Sequence, residues 1–284
     1  MNDTGTSLLI IGGPDAGKTH YGGQLLGRLN YGKGQIKMRS APANIAPFEE
    51  VLRCLGQGMT AMHTSAGVYY ETVFPVELAN GNPADLVFPD YAGEQIKAIM
   101  EQRQITKAWR NRLVDSSGWI LFIRLERIHL PEDILTRPLR DVVEQEKIEA
   151  PAIFRWSDQA YYLELMQLLL YAKGVGTTMR INRPALTVIL SCWDELGFAD
   201  ADVRMPSKLL SERMPLFAEF VEANWEPDQL TVLGLSSLGK ALKEGEADDG
   251  YLDEGPESFG YVVLPDGTHS PDLTLPVSIT MERM

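Results

Sequence analysis

Cysteine is scarce in this chain. Cys54 and Cys192 are the two among 284 residues, and they lie far apart, with neither the spacing of a paired metal site nor the number for a disulfide framework. A reducing compartment is the expectation. Long apolar runs are missing too: the stretches 119–123 and 185–190 fall far short of the ~20 residues that cross a bilayer. The N-terminus has no basic-then-apolar leader pattern, so the chain reads as cytoplasmic, with no membrane span. Positive charge is in deficit as well. With 26 Lys and Arg against 39 Asp and Glu the net charge is −13, which argues against a general nucleic-acid or anionic-membrane surface, since both rest on basic patches. A pocket that holds an anion through main-chain amides and one lysine escapes that exclusion.

Such a pocket is encoded near the start. Leu8-Leu9-Ile10-Ile11 runs directly into Gly12-Gly13-Pro14-Asp15-Ala16-Gly17-Lys18-Thr19, the pattern G-x-x-x-x-G-K-[ST] in its strand-then-helix setting. Glycines let the backbone curl until several N–H groups point at one spot, and the following helix N-terminus adds its partial positive charge there. A triphosphate fits that spot. Lys18 reaches the β- and γ-phosphates as a point charge, and the Thr19 hydroxyl takes one position on a Mg²⁺ that bridges the same oxygens. Tyr21, Leu25, Leu26 and Leu29 recur at helical spacing, which puts Lys18 and Thr19 on the first turn of an amphipathic helix.

The length fits one large α/β domain. Residues 1–243 read as that domain, with insertions at about 30–67 and 129–150, and 244–284 as an acidic linker followed by a hairpin-like extension whose arms are 260–264 and 272–279. Strand patterns recur at 68–78, 85–89, 118–125, 186–190 and 230–235, and helical ones at 95–115, 157–172 and 206–224. The order predicts a mainly parallel six-stranded sheet with one antiparallel strand and helices on both faces.

Such sheets present ligands at the carboxyl ends of their strands. Asp90-Tyr91-Ala92-Gly93-Glu94 follows 85–89: Asp90 is placed to hold Mg²⁺ through a water, Gly93 to let a backbone N–H approach the γ-phosphate, and Glu94 to face the attacking water. Ser191-Cys192-Trp193-Asp194 follows 186–190. Asp194 is the candidate base reader, because a carboxylate accepts two N–H bonds from a guanine edge whereas adenine offers no matching donor pair. The turn at Ser236 and Ser237 is a candidate source of backbone N–H bonds to the guanine carbonyl. In the loop ahead of residue 68, Thr64 is the candidate that completes the Mg²⁺ shell only while a γ-phosphate is present, which makes the loop a switch. Each has an ordinary structural alternative as a cap, turn or surface residue. Arg124 and Arg127, just past the middle strand, are in reach of the nucleotide, but solvated surface arginines are the commoner case, and they stay unassigned.

Taken together, 12–19, Thr64, 90–93, 191–194 and 236–238 fall in the order of the translation-factor-like and Ras-like GTPases, which the sequence resembles over about 7–243. More narrowly, Pro14-x-x-Gly17-Lys18-Thr19, Asp90-Tyr91-Ala92-Gly93-Glu94 and the tail Gly260-Tyr261-Val262-Val263 resemble the bacterial double-GTPase proteins of conflict and defence systems. The resemblance implies a Ras-like P-loop NTPase fold, GTP and GDP as ligands with Mg²⁺, and hydrolysis of the β–γ phosphoanhydride in which Lys18, Thr64 and Glu94 take part. It also implies a switch working with protein partners, such as a GTPase activator or a co-encoded effector. Departures from the class pattern are specific. The usual Asn-Lys-x-Asp is here Ser191-Cys192-Trp193-Asp194, the water-orienting glutamine is Glu94, and Pro14 and Asp15 bring a missing N–H and a negative charge to the loop. Weakened guanine preference and slow turnover without a partner are therefore expected. Two other readings stay open: an ATP-hydrolysing P-loop enzyme, and a scaffold that binds nucleotide without turning it over.

Overall fold

The run 8–11 is apolar on both sides because strand β1 (Ser7–Gly12) lies in the middle of a sheet covered on both faces. Leu9 and Ile11 enter one core and Leu8 and Ile10 the other, following the two-residue period of a strand. The computed structural model describes residues 7–32, 34–61, 70–90, 94–128, 157–198 and 203–284, with the backbone only at 70–71, 89–90, 94–95 and 97–98.

Parallel neighbours flank β1: β4 (Pro83–Asp90), with Leu9 opposite Val87, and β5 (Ser116–Arg124), with Gly12 opposite Phe122. β6 (Ala185–Ser191) and β7 (Leu230–Ser236) extend the parallel series. Antiparallel to β4 runs β3 (Tyr70–Glu77), followed at the edge by β2 (Lys37–Met38), while β8 (Tyr261–Val263) and β9 (His269–Ser270) add antiparallel pairings beyond β7. The order is β2-β3-β4-β1-β5-β6-β7-β8-β9. The expected count of six strands is thus corrected to nine among the described residues. The central run from β3 to β7 carries the expected single antiparallel member, but β8 is a second, and the additions are edge strands of two or three residues, too short to show a period in the sequence.

One face is covered by α3 (Glu94–Gln102), α4 (Lys107–Asp115), α5 (Asp158–Lys173), α6 (Pro206–Arg213) and α7 (Pro215–Asn224), the other by α1 (Lys18–Asn30), α2 (Ala46–Leu55) and α9 (Leu275–Glu282). Two stretches expected as single helices are broken. Between α3 and α4, Arg103 adopts φ +52° and Thr106 restarts the helix by accepting from the Trp109 N–H at 3.3 Å. Between α6 and α7, Pro215 lacks the N–H that an uninterrupted helix needs.

The tail departs most from expectation. Its first hairpin arm exists as β8, but 272–279 is not the second arm. The alternation Leu273, Leu275, Val277, Ile279 imitates a strand, yet Pro276 sits in the first turn of α9 and Leu275, Val277, Ser278, Thr280 and Met281 are all buried, so the helix is enclosed and shows no polar face. Within 244–255, expected as a solvated linker, α8 (Asp249–Glu254) carries a fully buried Tyr251 that accepts from Gln24 Nε2 at 2.7 Å and stacks on Phe259. Asp248 caps that helix, accepting from the Tyr251 N–H at 2.8 Å.

Thr280 fixes α9 to the sheet. Its Oγ1 donates to the Pro276 carbonyl at 2.6 Å, which leaves it to accept from Thr187 Oγ1 of β6, also at 2.6 Å. Thr280→Val strands the buried Thr187 hydroxyl, and a loss of about 1–3 kcal/mol in denaturant unfolding is expected, partly recovered when Thr187→Val is added. A single variant as stable as the parent contradicts this account.

Candidate functional site

The site grows from the end of β1. Gly12 has no room for a side chain: a Cβ there would stand 3.0 Å from Phe122 Cβ and 3.1 Å from the Phe122 carbonyl oxygen. The loop then turns through two left-handed residues, Asp15 at φ +56° and Gly17 at φ +80°. Gly17 takes that conformation without penalty; Asp15 does so as one of the few side chains that tolerate it. Lys18 opens α1 and folds back, its Nζ donating to the carbonyls of Gly12 at 2.8 Å and Gly13 at 2.7 Å. These bonds hold the loop open around its own backbone. No side chain caps α1 and no acidic residue lies in its first turn, so the amide end of the helix keeps its partial positive charge toward the loop.

A cleft of about 520 Å³ lies over this loop. Pro14, Asp15, Ala16, Gly17, Lys18 and Thr19 form one wall; Ser191, Cys192, Asp194 and Glu195 form another, with Ser237, Leu238, 240–242 and Glu244 closing the end. The structure therefore gathers the loop, Asp194 and Ser237 around one space. Ser236 is not among the lining residues. It is fully buried, and its Oγ accepts from the Gly239 N–H at 2.9 Å, so it shapes the turn that presents Ser237. Asp90 ends β4 beside β1, at the same edge of the sheet, and Glu94 begins α3 there. Thr64 and Gly93 lie outside the described residues.

The turn after β6 has its own logic. Ser191 ends β6, Cys192 adopts φ +53°, and a 3-10 turn covers Trp193–Leu196. Trp193 is core: a Cβ on Gly234 would meet its ring at 2.4 Å, so this position carries bulk where the GTPase pattern leaves the residue free. Among the described residues no hydrogen-bond partner meets the Asp194 carboxylate. Ser191 is 2% exposed, and its Oγ is buried without a hydrogen-bond partner. Burial pushes the Cys192 thiol up to about 12, with Glu195 as the next cause. It stays neutral at physiological pH and adds no negative charge beside the loop.

Two residues that the sequence leaves unassigned stand here. Arg124, the last residue of β5, grips Glu195 with both edges of its guanidinium, Nε to Oε2 at 2.8 Å and Nη2 to Oε1 at 2.6 Å. Arg127 Nη1 faces the Asp15 carboxylate at 3.3 Å. The position of Arg124 at a strand end was the available signal; its partner lies 71 residues away. At the floor of the cleft, His20 Nε2 and Thr60 Oγ1 are 2.9 Å apart. Among the described residues no cluster of three His, Cys, Asp or Glu forms a metal cage. A hydroxyl at Thr19, a strand-end aspartate and phosphate oxygens make the sparse, hard donor set that suits Mg²⁺.

A parallel sheet carrying this loop at the end of its central strand defines a P-loop nucleotide-binding protein. The chain belongs to the Double-GTPase 1 family, whose model matches residues 9–279. Among solved structures it is similar to the GTPase-like domain of S. cerevisiae Ski7 bound to GDP and inorganic phosphate, at 16% identity over 88% of this chain and 48% of that one, with a TM-score of 0.40. It is also similar to the signal recognition particle receptor SRb-GTP/SRX complex from Chaetomium thermophilum, at 16% identity over 88% of this chain and 97% of that one, TM-score 0.39. The chain spans about half the length of the Ski7 chain. No curated protein matches it significantly. No helix among the described residues is long and apolar enough to cross a membrane.

Proposed function

We propose that this protein binds GTP and GDP with Mg²⁺ in the cleft over 12–19, hydrolyses GTP slowly, and serves as a nucleotide-dependent switch for protein partners in a bacterial defence system. The observation that carries the reading is the cleft itself: a lysine-braced phosphate loop on one wall and, across it, an aspartate whose carboxylate meets no partner among the described residues. In this reading the amides of 13–19 and Lys18 take the phosphates, Asp194 accepts the two donors of the guanine edge, and the Ser237 turn offers an N–H to its carbonyl. Thr19 and Asp90, with Thr64 in the triphosphate state, would hold the Mg²⁺, which supplies positive charge at the β- and γ-phosphates.

Hydrolysis breaks the bond between the γ-phosphorus and the β–γ bridging oxygen as water attacks in line; the electron pair leaves with GDP and the water protons end on phosphate and solvent. Glu94 is assigned to the attacking water and Gly93 to the γ-phosphate. Slow turnover follows from an acceptor-only side chain in place of an amide and from Pro14, which removes one N–H from the cradle. The negative charge of Asp15 is offset in part by Arg127. A partner that supplies an arginine or repositions the water, a GTPase activator or a co-encoded effector, would raise the rate.

Competition of GTP, GDP and ATP against a fluorescent GDP, with and without Mg²⁺, together with single-turnover hydrolysis of the isolated chain, tests this. Guanine nucleotides are expected to outcompete ATP, and hydrolysis to run near ~10⁻³ s⁻¹ or below, the range of unassisted GTPases. ATP winning the competition would make the protein an ATP enzyme. Tight Mg²⁺-dependent binding without any turnover would make it a scaffold, and a rate matching partner-activated GTPases would remove the switch reading.

A further inference from the structure

We propose that the Arg124–Glu195 ion pair ties the phosphate loop to the base-side turn, making Arg124 a positioning residue for nucleotide binding. The inference rests on the nucleotide reading above. Registers set the stage: β5 pairs with β1 on one side, Gly12 opposite Phe122, and with β6 on the other, Arg124 opposite Ser191. Arg124 therefore emerges between the two loops. Its Nε and Nη2 take both carboxylate oxygens of Glu195, while Nη1 stands 3.4 Å from the Asp15 carbonyl in the phosphate loop, long for a hydrogen bond but within reach of a cation for a carbonyl dipole.

On the other side of the tie, Asp194 and Glu195 are consecutive in one short turn, whose Glu195 N–H donates to the Cys192 carbonyl at 3.0 Å. A turn this tight does not let one of them shift alone. Holding Glu195 therefore holds Asp194, and the base reader is referred to the same frame as the phosphates. The side chains of Arg124 and Glu195 are 18% and 24% exposed, shielded enough for the pairing to survive salt better than a surface pair. Ion pairs withdrawn from water contribute little net stability, because desolvation offsets their attraction. A brace for the fold is thus the weaker explanation of this geometry. The GTPase pattern ties base and phosphate loop through an asparagine and a lysine, and this chain has Ser191 and Cys192 in those places. Neither reaches across as a cation; Arg124 does.

Release of fluorescent GDP from the Mg²⁺-loaded full chain is the measurement. Glu195→Gln and Arg124→Lys, which lose the bidentate charge pairing but keep most of the bulk, are each expected to speed release about tenfold; Arg124→Lys, which keeps a cation opposite Glu195, is expected to do so with the unfolding temperature of the nucleotide-free protein unchanged. The reversed pair, Arg124→Glu with Glu195→Arg, is expected to restore slow release in large part. Release at the parental rate in both single variants overturns the tie. So does a reversed pair as fast as the singles, which would mean that Arg124 acts on the nucleotide itself, and so does a drop in unfolding temperature that accounts for the faster release. Lys18→Ala is the control on the underlying reading: if it retains GDP like the parent, the cleft is not a nucleotide site and the tie fails with it.

Discussion

Lys18→Ala is expected to lower the affinity for GTP and GDP by about two to four orders of magnitude while leaving the fold in place. The size follows from the bonds this ammonium can make. Hydrogen bonds from a charged donor contribute about 1.5–3 kcal/mol each, and the group that now bridges the Gly12 and Gly13 carbonyls is positioned to meet two phosphate groups at once. Removing it also unties the loop from its own backbone, so part of the preorganisation goes together with the charge. The fold has little stake in this side chain: Lys18 is partly exposed, and the two cores are built from the alternating faces of β1 and its neighbours. Titration calorimetry with GDP, beside a melting curve of the nucleotide-free variant, separates the two effects. Affinity within a few-fold of the parent would end the phosphate-loop account. Thr280→Val supplies the mirror image, lowering stability and leaving GDP binding untouched.

Much of this was legible because it is local. The pattern from Gly12 to Thr19 carries its own strand and helix, and an apolar run bounded by a glycine turn reads as a buried central strand wherever it occurs. The mainly parallel character of the central sheet followed from the alternation of strands and helices. What escaped detection is whatever depends on contacts across the chain or on very short elements. β2, β8 and β9 have too few residues for a period, and α9 alternates like a strand because a helix buried all round has no face to mark it. Tyr251 looked like one apolar residue in an acidic stretch until the buried Gln24 amide gave its hydroxyl a partner. Which serine of the 236–237 pair faces the cleft was decided by the Gly239 N–H. Arg124 is the clearest case: a strand-end arginine is a surface residue by default, and its role appears only once Glu195 is folded against it.

Asp194→Asn is expected to reverse base preference rather than merely weaken binding. Guanine presents two donors on one edge, its N1–H and its 2-amino group, and a carboxylate meets both with acceptors. An amide offers one acceptor and one donor, so one hydrogen bond survives and the other becomes donor against donor. With charge-assisted bonds at about 1.5–3 kcal/mol each, GDP affinity should fall about a hundredfold. Xanthosine diphosphate carries a carbonyl where guanine has the amino group, which suits the amide, and should bind the variant better than GDP does. ADP offers neither pattern and should be unaffected. Competition among the three diphosphates on parent and variant reads this directly; a ratio of GDP to ADP affinity that is the same in both removes Asp194 as the base reader. The substitution leaves no described hydrogen bond broken, and Glu195, which secures the turn to Arg124, is retained. Ser191 cannot replace Asp194, because a hydroxyl donates or accepts with equal ease, and an N–H from the Ser237 turn, which favours the 6-carbonyl of guanine over the 6-amino group of adenine, does not reach N1 or the 2-amino group. Recognition of the N1–H and the 2-amino group therefore rests on Asp194, a carboxylate in the cleft wall that no hydrogen bond claims among the described residues.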